Sequence, residues 1–441
     1  MIHVGNGYVA KTVCSGIFVS GRPGHAIRDG EIYANDPGIL RLASTEVDRG
    51  QRIVRTRMLG VGERVAVYRG RLGCTLAEGV APQELHRRGL PEAVAAAPSR
   101  LSSEPIGASQ AGATASAARV DRAALDAALD EALAEPGPVD TKRTRAVVVA
   151  LDGEIIAERY APKYGPDVPL AGWSMTKSAV NALVGVLVRE GKLSLDATLD
   201  VPEWRAPGDG RAAITMRHLL QMTSGLAFAE DYRNPLGDAL WMLFGTGDAA
   251  HFAASKALVA PPGQRWSYSS GTTNIVARVL RRAAGGNEAD YLAFPRRALF
   301  EPLGLASAVI EPDAAGTFVG SSFMFASARD WVRLGQLYLQ DGVWDGVRIL
   351  PEGWVAFSRS PAPAAPGGVY GAHFWLRLPR LYAPSGEAGL PEDAYHAVGH
   401  EGQILTIVPS RGLVVVRLGL SLGHGTWDHA AFLRRVLQAI R

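Results

Sequence analysis

Gly172-Trp173-Ser174-Met175-Thr176-Lys177-Ser178 opens a long apolar run that ends at Glu190-Gly191. Ser174 and Lys177 are three residues apart, so on a helix they share one face, one above the other. From Ala179 to Val188 the run is apolar on nearly every side, which predicts a helix buried in a large core. Gly191 suits its C-terminal end, where a left-handed cap costs glycine little. A serine at a buried helix N-terminus meets the positive end of the helix dipole, which favours a developing alkoxide. A desolvated lysine one turn further on loses part of its preference for the charged form and can accept a proton. This is the Ser-x-x-Lys pattern of acyl-serine chemistry. The pattern is short and recurs by chance, so its weight comes from the rest of the chain.

Upstream, residues 1–85 read as β-rich. Tyr8 to Val13 is strand-like, and Ile53 to Met58 and Arg64 to Tyr68 flank Gly60-Val61-Gly62 as a hairpin. Leu59-Gly60-Val61-Gly62 lacks the third glycine and the lysine of a phosphate-binding loop. Residues 93–118, rich in Ala, Ser, Gly and Pro, read as a linker or wrapping segment. Leu125, Leu129 and Leu133 predict an amphipathic helix from Val120 to Glu135, closed by Pro136-Gly137-Pro138. Asp152-Gly153 turns a hairpin between Arg145–Leu151 and Glu154–Tyr160.

Downstream of Pro202 the pattern is mainly helical: Met216–Met222, Pro235–Phe244, Asn274–Ala284, Asp290–Leu299 and Ala328–Gln340. Strands return at Gly371–Leu378, Gln403–Val408 and Gly412–Leu418, before a closing helix from Asp428 to Ile440. The implied fold is α/β (α+β), an antiparallel sheet flanked by helices, with an all-α insertion and a β-rich N-terminal extension. The boundaries are 1–118 for the extension and linker and 119–441 for the catalytic region. Within the latter, 119–200 and 341–441 form the α/β part, and 201–340 the helical insertion.

Two further stretches fall where an acyl-serine enzyme needs them. In Arg265-Trp266-Ser267-Tyr268-Ser269-Ser270-Gly271, a tyrosine set against a lysine can share its proton. It can then act as base toward the serine and acid toward the leaving group. The plainer reading is an aromatic and two serines that cap the next helix. In Val398-Gly399-His400-Glu401-Gly402-Gln403, glycine on an edge strand lets substrate approach closely. The amide N–H groups of Gln403 and Ser174 can form a two-donor oxyanion hole. A lone His400 is more often a packed strand histidine than a catalyst.

Together, in this order, the three stretches resemble the motifs of the penicillin-recognising serine hydrolase superfamily. It comprises class C β-lactamases, D,D-peptidases and related esterases and amidases, whose third motif is often Lys- or His-x-Gly. Ile214-Thr215-Met216-Arg217-His218-Leu219-Leu220-Gln221-Met222-Thr223-Ser224-Gly225 is similar to that family's ITIRHLLTHTSGL segment. Ser327-Ala328-Arg329-Asp330 with Gly335 is similar to its TARDLARFG helix, so the resemblance spans roughly 120–441 and leaves 1–118 uncovered.

Within the superfamily the chain looks most like the 6-aminohexanoate-dimer hydrolases and their esterase relatives. They carry Tyr-x-Ser, as Tyr268-Ser269-Ser270 does, and a Glu-Asp-Tyr loop matched by Glu230-Asp231-Tyr232. The resemblance implies catalytic roles for Ser174, Lys177 and Tyr268, an oxyanion hole at Ser174 and Gln403, and substrate contacts at Tyr232, Ser270, Ser321, His400 and Gly402. Ser321 stands where that family has an asparagine, a departure that counts against the nylon-oligomer substrate itself. His-x-Gly in place of Lys-x-Gly removes a fixed cation, which favours neutral esters or amides over carboxylate-bearing β-lactams. The alternatives are β-lactamase or D,D-peptidase activity, or a slowly deacylating penicillin-binding sensor.

Other classes fit less well. There is no G-x-S-x-G elbow for an α/β-hydrolase, and no Ser-Asp-Asn motif of class A enzymes. His396, His400, His424 and His429 suggest zinc, but Thr426 and Ile404 stand where the metal motifs need histidine, so no metal and no cofactor are expected. With 441 residues, 47% hydrophobic, 20% charged and a formal charge of +3, the chain has no dense basic block implying nucleic acid. The expected partner is a small ester or amide; a homodimer is left open. No apolar run reaches the ~18 residues of a transmembrane helix. No signal peptide precedes Val13, so the chain reads as cytoplasmic as it stands, or periplasmic or anchored if its N-terminus is trimmed. The only cysteines, Cys14 and Cys74, either pair in an oxidising compartment or remain as two buried thiols.

Overall fold

Tyr8 to Val13 is not a strand. In the computed structural model, which describes residues 1–33, 38–90, 118–137, 141–285, 287–423 and 425–441, this stretch lies inside helix α1 (Ile2–Phe18). Val4, Val9, Ala10, Val13, Cys14 and Ile17 are buried, and so are Asn6, Lys11 and Ser15, so the helix is enclosed on most sides. A six-residue window with two valines and a tyrosine reads as a strand because a helix buried on most sides shows no clear helical period. Four antiparallel strands follow in spatial order: β1 (Ala43–Asp48), β2 (Ile53–Met58), β3 (Val61–Tyr68) and β4 (Cys74–Leu76). Leu59 and Gly60, both at positive φ, make the expected hairpin turn between β2 and β3. Cys14 and Cys74 form a disulfide that ties α1 to β4. Residues 93–117 of the expected linker lie outside the described residues.

Asp121 caps helix α2 (Arg122–Leu133) through its side chain, and strands β5 (Thr144–Leu151) and β6 (Glu154–Tyr160) form the expected hairpin. The apolar run is helix α3 (Thr176–Arg189). Ser174 precedes it in a 3-10 turn, Trp173–Met175, rather than inside the α-helix. Helices α4 (Asp238–Phe244), α5 (Ser270–Ala283) and α6 (Ala328–Leu339) match expectation within a few residues. The helix expected at Asp290–Leu299 runs from Glu288 to Pro295 and continues as a wider π turn, Arg296–Phe300.

Gly371–Leu378 is not a strand either. Tyr370 and Trp375 make only isolated bridges, His373 has a left-handed φ of 58°, and a Cβ on Gly371 would lie 2.2 Å from the Ser358 carbonyl oxygen. The missing edge strand is β7 (Tyr395–Gly399), followed by β8 (Gln403–Val408), β9 (Leu413–Gly419) and helix α7 (His429–Gln438).

The described residues fall into two compact units. Unit 1 holds Met1–Pro98, Leu187–Ala298 and Val309–Phe325; unit 2 holds Ser99–Val186, Leu299–Ala308 and Ala326–Arg441. In unit 1, α1 packs on β2, β3 and α4. In unit 2 the sheet order is β7-β8-β9-β5-β6, antiparallel throughout. One face packs against α2 and α7 through Leu125, Leu129, Val147, Val149, Leu433 and Val436. Helix α6 covers β5, β8 and β9, where a Cβ on Gly335 would meet Val414 and Leu405 within 2.8 Å. That glycine lets helix and sheet approach closely. Among the described residues no helix is long and apolar enough to cross a membrane.

Candidate active site

Unit 2 brings the first and third motifs together. Gly172 is the pivot: a Cβ there would lie 2.3 Å from Trp331, and its carbonyl oxygen lies 2.2 Å from where a Cβ on Gly399 would stand. Both positions therefore require glycine, and the end of β7 is pressed against the turn that carries Ser174. Trp173, at a strained φ of 48°, directs its indole so that Nε1–H donates to Glu401 Oε2 at 3.1 Å. Its ring meets the edge of His400 at 5.7 Å. Glu401 is itself left-handed, φ 62°, and buried, whereas the His400 side chain is half exposed.

Lys177 is 1% exposed, and its Nζ donates to Ser174 Oγ at 2.9 Å. Ser174 lies in the 3-10 turn and Lys177 in the first turn of α3, three residues on, where side chains at that spacing are neighbours. The elements behind it are held by polar contacts that the sequence pattern does not reveal. His373 Nδ1–H donates to the Lys177 carbonyl at 2.9 Å, and Ser178 Oγ donates to the His373 carbonyl at 2.7 Å. Burial, reinforced by the Lys177 charge, pushes the His373 imidazole down to about 3, so it is neutral at pH 7.

Asn181, fully buried in the apolar run, donates to the Ala372 carbonyl at 2.9 Å and accepts from Tyr338 Oη at 2.5 Å and Trp354 Nε1 at 2.8 Å. Replacing Asn181 by alanine strands these groups in the interior. The expected loss is about 3–5 kcal/mol of unfolding free energy in a urea titration.

The third motif is clamped from behind. Arg417, fully buried, donates to the carbonyls of Glu401 at 3.1 Å and Gly402 at 2.9 Å. Burial lowers its guanidinium to about 9, which leaves it charged at pH 7. Tyr382 Oη accepts from the Gly402 N–H at 3.1 Å and donates to the Gly399 carbonyl at 3.2 Å. The Gln403 side chain is spent on Gly419, through 2.5 Å and 2.9 Å bonds. Its backbone N–H, the expected oxyanion donor, donates to the His400 carbonyl across the turn.

Unit 1 carries the second motif. Ser269 is the cap of α5, its Oγ accepting from Thr272 N–H at 3.2 Å, so the plainer capping role is present alongside the half-buried Tyr268. Glu230 is a residue whose role the sequence did not disclose: its carboxylate accepts from the Ser270 N–H at 2.7 Å, Ser270 Oγ at 2.5 Å and Tyr232 Oη at 2.7 Å. Enclosure and the Glu230 charge push the Tyr232 phenol well above its usual range. A carboxylate at the α5 N-terminus is favourably placed toward the helix dipole. Ser321 is fully buried, with its N–H on Asn274 Oδ1 at 3.2 Å and its Oγ beside Ser322 Oγ at 2.9 Å.

Two of the histidines behind the zinc reading, His396 and His429, are hydrogen-bonded through Thr406. Trp427 Nε1–H donates to His429 Nδ1 at 3.4 Å, so Nε2 carries the His429 proton and donates to Thr406 Oγ1 at 2.8 Å. The Thr406 hydroxyl then donates to His396 Nδ1 at 2.9 Å. Burial drives both imidazoles toward the neutral form, His396 to about 3. His424 lies outside the described residues.

A family model described as Beta-lactamase matches residues 125–434. The 6-aminohexanoate-dimer hydrolase of Paenarthrobacter ureafaciens is 25% identical to this chain over 297 residues, 62% of this chain and 72% of that protein. Among solved structures, a penicillin-binding protein homologue from Caulobacter crescentus aligns with a TM-score of 0.55 at 21% identity, covering 72% of this chain and 96% of its own. A D-stereospecific amidohydrolase from Streptomyces sp. aligns with a TM-score of 0.52 at 17% identity, covering 73% and 98%.

Proposed function

The chain belongs to the beta-lactamase family of penicillin-recognising serine hydrolases, and from that premise we propose that it cleaves an ester or amide bond of a small substrate through an acyl-enzyme on Ser174. The observation that carries the proposal is the 2.9 Å contact between Ser174 Oγ and the buried Lys177 Nζ. With the lysine neutral, the same contact carries the serine proton to nitrogen as Oγ attacks the carbonyl. Tyr268, placed by its motif, shares that proton, passes it to the leaving amine or alcohol, and then activates the deacylating water.

The N–H groups of Ser174 and Gln403 stabilise the oxyanion, which requires the Gln403 N–H to share or exchange its bond to the His400 carbonyl. Tyr232, steered by Glu230, contacts the substrate amide or ester beside Ser270. A histidine at position 400 in place of a fixed cation favours uncharged substrates over carboxylates. The similarity to a 6-aminohexanoate-dimer hydrolase supports including linear amides among the candidates.

Turnover of p-nitrophenyl acetate and butyrate is expected to survive EDTA and to stop after stoichiometric labelling with a fluorophosphonate. Activity lost to EDTA and indifferent to the phosphonate would overturn the reading. A panel of 6-aminohexanoate dimer, simple amides and a chromogenic cephalosporin then ranks amidase against β-lactamase turnover.

A further inference from the structure

Residues 1–90 lie outside the 125–434 span of the family match, yet they are built into unit 1 by buried polar contacts at two places. The first is a lock. Lys11, Cys14 and Ser15 share one face of α1; Cys14 is bonded to Cys74, and Lys11 Nζ pairs with the Glu311 carboxylate. Ser15 Oγ donates to Glu311 Oε1 at 2.8 Å, and the Cys74 N–H donates to the same oxygen at 2.6 Å. Glu311 is fully buried and Lys11 is 4% exposed. A buried pair with its remaining lone pairs satisfied fixes geometry more than it adds stability.

The second is a grip on the C-terminal end of α4. Arg64 Nη2 donates to the Phe244 carbonyl at 3.1 Å, and His3 Nε2–H donates to the Gly245 carbonyl at 3.1 Å. A Cβ on Gly7 would stand 2.3 Å from the Phe244 carbonyl oxygen, so α1 touches the α4 backbone directly. At its other end, α4 holds the base of the Tyr232 loop: Asp238 Oδ2 accepts from the Ala229 N–H at 3.0 Å, and its Oδ1 accepts from Lys256 Nζ at 2.6 Å. Glu230 and Tyr232 follow at once.

We infer that the N-terminal module is a positioning element for the Tyr232 loop, locked by Cys14–Cys74 and Lys11–Glu311 and acting through α4. The inference rests on reading Tyr232 as a substrate contact. The module sets how well substrate is bound and leaves the Ser174–Lys177 step, in unit 2, untouched. Its residues are positioning residues, so KM is the parameter that responds.

The test compares the full chain with a Cys14→Ala/Cys74→Ala double variant and with His3→Ala, which cuts the grip at a partly exposed residue and spares the core. In both, KM for p-nitrophenyl butyrate is expected to rise, by about fivefold in the double variant, with kcat within about twofold. Amide hydrogen exchange over 229–237 quickens, and His3→Gln, which keeps a donor for the Gly245 carbonyl, restores it. KM and exchange unchanged in both variants, or kcat lowered with KM constant, would overturn the inference. Hydrolysis that proves independent of Ser174 would instead sink the acyl-serine reading, and exchange over 229–237 would still decide the role of the module.

Discussion

Ser174→Ala and Lys177→Met are each expected to lower kcat/KM for p-nitrophenyl butyrate by at least about 10³-fold, near 4 kcal/mol of transition-state stabilisation. The alanine removes the atom that forms the acyl bond. The methionine keeps the length and apolar stem of Lys177 but removes the nitrogen 2.9 Å from Ser174 Oγ. The two losses should not add, since a nucleophile and its base act as one unit. Packing is expected to survive in Lys177→Met, because the anchor to His373 runs through the Lys177 backbone carbonyl. Circular dichroism and melting temperature should therefore match the wild type while activity vanishes. Full activity in Lys177→Met would show that the buried lysine is a structural cation and that another base serves Ser174.

Acid sensitivity is the second large effect expected. His373 and His396 are buried neutral, with folded values of about 3 against ~6.5 in an unfolded chain. A depressed histidine contributes stability that is fully present above the unfolded value and is lost as pH falls below it. Each costs about 1.4 kcal/mol per pH unit between roughly 6.5 and 3, so the pair removes about 4 kcal/mol by pH 5. His429 shifts in the same direction, because its imidazole is buried beside His396 and Arg417.

Asp313 works against them. Burial raises its carboxyl to about 7, so it gains stability as pH falls toward ~3.8 and by pH 5 offsets more than one histidine. Against the ~4 kcal/mol lost by the pair, Asp313 returns about 2.7 kcal/mol between pH 7 and 5, so the three groups leave a net loss of about 1.4 kcal/mol, to which His429 adds. Urea midpoints followed by tryptophan fluorescence should drop between pH 7.5 and 5.0. A midpoint that is flat or higher at pH 5.0 would mean that these histidines are not held neutral.

Much of this was legible in the residues. The Ser174-x-x-Lys177 spacing, the hairpins at Gly60 and Asp152-Gly153, and the helices with ordinary caps all follow local rules. The likeness of five separated stretches to the superfamily agrees with the family that the chain matches. What escaped depends on distant partners. Lys11 in the middle of an apolar face makes α1 look poorly amphipathic until Glu311, 300 positions away, accounts for the charge. Asn181 breaks the apolar run for a similar reason: its partners, Ala372, Tyr338 and Trp354, come from three later segments.

The expected strand at 371–378 fails because its aromatic and leucine content says nothing of the left-handed His373, which the contact with Lys177 holds in place. β7 was missed because Tyr395–Gly399 is buried along its whole length and shows no alternation to read. Glu230 was visible only as part of a borrowed motif; its three donors come from Ser270 and Tyr232, brought to it by the fold.

The most direct measurement is acid-quenched mass spectrometry during steady-state turnover of p-nitrophenyl acetate. One acetyl group is expected on the peptide that contains Ser174, present in the wild type and absent in Ser174→Ala. Turnover with no covalent adduct, or an adduct on another residue that persists in Ser174→Ala, would contradict an acyl-enzyme on Ser174.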